Sequence, residues 1–112
     1  MKRTLENIDY QENTECLARF AKALAHPTRI AILKHLESQS CCFTGDLVTL
    51  FPLAQSTISQ HLKELKNAGL IQGELKPPKI KYCIDQTNWI KAKALFAELF
   101  STKNDICQDG KC

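Results

Sequence analysis

Residues 51–71 read FPLAQSTISQHLKELKNAGLI. Pro52 stops whatever helix precedes it, and Gly69 is the residue type that closes a helix in the left-handed conformation. Between them, AQSTISQHLKELKNAG fits one helix. With Ile58 at the centre of its buried face, a rotation of about 100° per residue brings Leu62 and Leu65 alongside. The opposite face then carries Ser56, Gln60, Lys63 and Asn67, with Ser59 beside them. His61 falls on the flank of the buried stripe. The outward face is polar and able both to donate and to accept hydrogen bonds. Most solvated helix faces share that description, so its meaning rests on the flanking segments.

Upstream, Leu17, Phe20, Ala21 and Leu24 fall at helical spacing within residues 13–25. AHPTRIAILKHLES restarts a helix at Pro27, and its predicted buried stripe is Ile30, Leu33 and Leu36. Residues 38–42 read as a polar break. Thr44 is placed to cap a short third helix with Asp46 in its first turn, turning Leu47, Leu50 and Phe51 inward. Downstream, LIQGEL and KIKYCID read as two strands joined through Lys76-Pro77-Pro78-Lys79. Ile80, Tyr82 and Ile84 alternate with Lys81 and Cys83, giving one apolar and one polar face. Asn88 is placed to cap a closing helix that carries Trp89, Leu95, Phe96, Leu99 and Phe100. The order is four helices, a two-stranded ribbon and a fifth helix: a mostly α chain with a small β-hairpin wing, in the layout of a winged helix-turn-helix.

The 112 residues are enough for one domain over 1–112, with 1–12 and 101–112 expected as flexible ends. Apolar residues are 44% and charged residues 24%, a globular composition. Net charge is only +3, but residues 54–81 hold five lysines (Lys63, Lys66, Lys76, Lys79 and Lys81) against Glu64 and Glu74. The positive charge is therefore concentrated around the fourth helix and the ribbon. No signal peptide and no membrane-spanning run are visible, so the expected compartment is the cytoplasm, with no membrane partner. No nucleophile, base and orienting group fall in a recognisable pattern, and no Gly-rich phosphate loop occurs, so the reading is not an enzyme.

Gln and Asn side chains pair with base edges in the major groove, while Ser, Thr and Lys anchor phosphates. On that chemistry the candidate DNA contacts are Ser56, Thr57, Ser59, Gln60 and Lys63 on the helix, with Lys76 and Lys79 on the ribbon. Two motifs make the case specific. FPLAQSTISQHLKELKNAGLI resembles the recognition helix of the ArsR/SmtB family of bacterial metal-sensing repressors, and AKALAHPTRIAILKHL is similar to that family's second-helix signature. The likeness covers roughly Leu17 to Phe100. It implies a homodimer built from the first and last helices, bound to double-stranded operator DNA of imperfectly palindromic sequence and released by an inducer. By position it also implies a DNA-contact role for Gln55, Ser56, Ser59 and Gln60, and places His61 at the family's histidine position among those contacts.

The family places different sensor sites on one scaffold, so the resemblance does not name the ligand. Its zinc-type site needs an Asp-x-His pair and a second His pair in the closing helix. Here Asp85 is followed by Gln86 and Thr87, and the closing helix has no histidine. His26 and His35 are expected to be structural. Arsenic- and cadmium-sensing members open the third helix with Cys-x-Cys before Asp-Leu, and this chain has Cys41-Cys42-Phe43-Thr44-Gly45-Asp46-Leu47, with the thiols displaced upstream. The expected metal ligands are Cys41 and Cys42, with a third thiol from Cys16, Cys107 or Cys112. The helix N-terminus nearby is expected to lower the thiol pKa. Cys83 is expected to pack. The function so read is a repressor that needs no cofactor to bind DNA and leaves it on binding As(III) or another thiophilic metal(loid) ion. Two alternatives stand beside it: a thiol-redox-sensing repressor of the same fold, and a cysteine-rich metal-binding protein without DNA function.

Overall fold

The computed structural model describes residues 13–101; the expectations for the two chain ends, including Cys107 and Cys112, lie outside them. The chain opens with helix α1 (Glu15–Leu24), which buries Cys16, Phe20 and Ala23. Helix α2 (Pro27–Gln39) begins with the proline in its first turn, where a missing N–H costs nothing. Its buried stripe is Ile32, Leu33 and Leu36, whereas Ile30, expected inside, is 41% exposed. Ile30 lies in the first turn and lines an open apolar groove with Leu24, Leu33 and Trp89.

The predicted polar break contains a strand, β1 (Cys41–Phe43), followed directly by helix α3 (Thr44–Leu50). A three-residue strand is too short to show an alternating pattern, and its partner lies far along the chain. Thr44 does not cap α3: Phe43 holds the N-cap position without a side-chain bond, and Thr44 Oγ1 donates to the Ile80 carbonyl at 3.2 Å. Leu47 is fully buried and Phe51 packs partly against the core, but Leu50 is 51% exposed.

Helix α4 (Gln55–Ala68) follows the reading closely, with Ile58, Leu62 and Leu65 fully buried. It ends at Gly69 with φ 90°, and the Gly69 and Leu70 amides return to the Lys66 and Leu65 carbonyls at 2.9 and 3.1 Å. Strands β2 (Ile71–Lys76) and β3 (Lys79–Ile84) form the wing, with a cis peptide between Pro77 and Pro78 at its tip. The sheet has three strands, not two, in the order β1-β3-β2 and antiparallel throughout. Helix α5 (Gln86–Phe100) is capped by Asp85 rather than by Asn88. The Asp85 carboxylate accepts from Gln72 Nε2 at 3.0 Å and from the Asn88 amide at 3.1 Å, and these donors hold its pKa below the ordinary carboxylate value. Asn88 instead donates through Nδ2 to the Gly69 carbonyl at 2.9 Å, tying the start of α5 to the end of α4.

Phe20, Ile32, Leu36, Leu47, Ile58 and Leu62 meet in a single core that α4 crosses. Each such burial contributes roughly 1.5–3 kcal/mol. The core therefore grips α4 by one face and leaves the other free. No helix among the described residues is long and apolar enough to cross a membrane.

Candidate nucleic-acid interface and thiol site

Because Ile58, Leu62 and Leu65 hold α4 from within, Gln55, Ser56, Thr57, Ser59, Gln60, Lys63 and Asn67 all stand exposed. Gln60 Nε2 donates to Glu64 Oε2 at 3.1 Å along this face. Between α4 and the wing lies a concavity lined by Gln55, Ser59, Lys63, Lys66 and Asn67 on one side and by Pro78, Lys79, Ile80 and Tyr82 on the other. Three lysines and no carboxylate line it. Lys66 escaped the sequence reading because it sits near the flank of the buried stripe. Its only signal in the sequence is its place among the lysines of residues 54–81; in the structure its Nζ reaches the wing beside Gly73, 3.6 Å from where a Cβ would stand.

Lys76 and Lys81 share Glu74 at 3.6 and 3.7 Å; Lys76 and Glu74 are exposed and Lys81 half-buried, so both pairs are solvent-screened and of small energetic weight. Lys79 has no carboxylate partner among the described residues, and its Nζ stands 5.4 Å over the Phe43 ring. His61 differs from the other expected DNA contacts. It is only 6% exposed, its Nδ1 accepts from Arg29 Nε at 3.1 Å, and its ring lies 4.3 Å from that of His26. Burial, then the neighbouring His26 and Arg29, push its pKa below the ordinary histidine value. An accepting Nδ1 is the neutral ring, so His61 joins α4 to α2 and is not part of the exposed face.

The expected metal ligands are not gathered at one point. Neighbouring strand residues leave the backbone on opposite faces, so Cys41 and Cys42 diverge. Cys42 stands across from Tyr82 and packs against the core. Burial and then the Asp46 carboxylate push its thiol pKa up, against only the Phe43 backbone bond, so the expected lowering by the helix start does not occur. Cys16 is 5% exposed, a core residue of α1 that accepts from Arg19 Nη2 at 3.5 Å. Cys41 stands across from Cys83, joined to it in a disulfide with Cα atoms 4.1 Å apart. Cys83, expected merely to pack, is thus the partner of Cys41, and only the strand register reveals it. Among the described residues no three His, Cys, Asp or Glu side chains converge as metal ligands.

Residues 26–72 match the model of the bacterial regulatory protein, arsR family. The chain is 32% identical over 102 residues to the HTH-type transcriptional regulator YgaV of Escherichia coli (strain K12), covering 91% of this chain and 97% of that one. A solved structure described as a possible transcriptional regulator for arsenical resistance superposes with a TM-score of 0.71 at 26% identity, over 84% of this chain and 96% of the other. A second, the homodimeric winged helix-turn-helix DNA-binding domain of a possible ArsR-family regulator from Mycobacterium bovis, superposes with a TM-score of 0.66 at 26% identity, over 81% of each chain. The resemblance carried by the helix motifs therefore holds over nearly the full length of a relative and in three dimensions, and the chain belongs to the arsR family of bacterial regulatory proteins, which are DNA-binding transcriptional regulators and not enzymes.

Proposed function

We propose that residues 1–112 form one winged-helix domain that works in the cytoplasm as a homodimeric repressor. It binds a double-stranded, imperfectly palindromic operator and leaves it when a thiophilic metal(loid), arsenite first, binds its thiols. The observation that carries the DNA half is the concavity between α4 and the wing, where Lys63 and Lys66 stand across from Lys79 with no carboxylate in the lining. Phosphates on either side of a groove suit such a surface. Gln55, Ser56, Thr57, Ser59 and Gln60 then meet base edges or phosphates, and Lys76 and Lys79 meet the backbone. The homodimer draws support from the exposed apolar residues of α5 and from the homodimeric relative. The metalloid draws support from the two cysteines of β1, which runs into α3, and from the structural likeness to a possible regulator for arsenical resistance. A metal-binding protein without DNA function is set aside by membership of a DNA-binding family.

The test uses the reduced full-length chain and an operator selected by it from a random DNA pool. Titration with arsenite, Cd(II) and Zn(II), following thiolate absorption and DNA anisotropy together, should show release by arsenite at the lowest concentration. Operator binding untouched by saturating arsenite would rule out the metalloid as inducer.

The Cys41–Cys83 disulfide favours a second reading, a thiol-redox switch on the same fold. There the two thiols give two protons and two electrons to a hydroperoxide, which leaves as alcohol and water while the S–S bond forms. Release by hydroperoxide alone, reversed by a dithiol reductant, would select this reading over the first.

A further inference from the structure

The register of β1 on β3 sets Cys41 directly opposite Cys83, on the face away from Cys42 and Tyr82. Directly opposed side chains in an antiparallel pair are each other's nearest neighbours across the ladder. We propose that Cys41 and Cys83 together chelate the trivalent arsenical, and that the wing carries the signal to DNA. The inference rests on the metalloid reading above and supplies the ligand pair for it. With arsenite, two As–S bonds form and two As–O bonds break. The two thiol protons leave with the two hydroxyls as water, arsenic stays trivalent, and its third position keeps a hydroxyl. The disulfide is the same sulfur pair in a form that holds no arsenic, so the site is loaded only when reduced.

The position of the pair explains how loading reaches DNA. β1 runs without a break into α3, and three links join this corner to the wing. Thr44 Oγ1 reaches the Ile80 carbonyl at 3.2 Å, Lys79 lies over Phe43 at 5.4 Å, and Cys41 meets Cys83. The first two links lie toward the wing tip and the thiols toward its base. An arsenic atom inserted at the base resets the spacing of β1 and β3 at one end of the ladder. The wing then tilts against α4, and Lys79 leaves the position from which it meets the phosphate backbone.

The experiment uses the reduced full-length chain, arsenite as the probe, and the selected operator. Arsenite should protect Cys41 and Cys83 together from iodoacetamide, read by peptide mass, and should slow hydrogen exchange of the Lys79–Tyr82 amides. Cys41→Ser and Cys83→Ser should each bind operator like the parent yet need at least about tenfold more arsenite for release, whereas Cys42→Ser should respond like the parent. Release of Cys83→Ser and Cys83→Ala at the parent's arsenite concentration, or protection of Cys41 with Cys42 instead, would overturn the pair while leaving the metalloid reading intact. A parent chain that binds no arsenite would overturn both. The protection assay needs no variant, so a folding defect in either serine form does not shield the proposal.

Discussion

Gln60 stands in mid-face on α4 with its amide nitrogen already bonded to Glu64 Oε2 at 3.1 Å. That bond points the side chain along the helix and leaves its carbonyl oxygen and its second N–H for a base edge. Gln60→Ala should cost about 1–3 kcal/mol of operator binding and relax sequence preference at one position, read by competition against base-substituted operators. Lys79→Ala removes a charge without a base contact. It should weaken binding to all sequences alike and flatten the salt slope by about one unit. His61 makes a different prediction, on stability. Its folded pKa is lowered, so the unfolded chain takes up its proton first as pH falls. The contribution of neutral His61 is full above about pH 6.5 and is lost as pH drops through the window between the unfolded and folded values. Urea midpoints of the parent should therefore fall between pH 7.5 and 5 more steeply than those of His61→Gln, and equal slopes would remove His61 as the cause. The outward α4 residues were legible because helix rotation alone places them. His61 was not, because its burial depends on Arg29 and His26, which tertiary packing brings to it.

At the scale of elements, the joint between α4 and the wing is held by Gly69. A Cβ there would come within 2.9 Å of Asn88 Nδ2, the group that donates to the Gly69 carbonyl, and φ is 90°. Gly69→Ala should thus cost about 2 kcal/mol, from the left-handed backbone and the disturbed hydrogen bond together. Gly45 is the matched control: it sits in the first turn of α3 and a Cβ would meet nothing within 4 Å. Gly45→Ala should stabilise by about 0.5–1 kcal/mol. Denaturant midpoints that move the same way for both would contradict this account of the joint. The helix ends at Pro27 and Gly69 were readable, since each is set by the residue's own backbone. The cap of α5 was not, because Asn88 and Asp85 are both good capping residues. The choice fell to Asp85 when β2 brought Gln72 to its carboxylate.

For the whole molecule, the question is what covers α5. Ile90, Leu99 and Phe100 are 63%, 58% and 73% exposed, and Phe96 stacks on Phe100 with ring centroids 6.1 Å apart. Beside them runs an apolar groove lined by Leu24, Leu70, Trp89 and Ala92. An isologous pair through α1 and α5 would bury this surface and set two recognition helices about 34–36 Å apart, one turn of DNA. The parent chain should sediment as a dimer at micromolar concentration without metal. Phe100→Asp should weaken that dimer by about 2 kcal/mol or more and reduce operator affinity with it. A monomeric parent that still bound a palindrome tightly would exclude this arrangement.

The sequence by itself determined the helices, the polar face of α4, the two wing strands and the lysines on them. Each of these follows from periodicity, from Pro and Gly at helix ends, or from charge along a short stretch, all within a few residues of one another. Tertiary structure alone decided the third strand, the burial of His61, the divergence of Cys41 from Cys42 and the meeting of Cys41 with Cys83 across 42 residues of chain. The physical reason is that strand pairing is a contact between distant segments. A three-residue strand carries no pattern of its own, and which side chains share a face is set by the register its partner imposes.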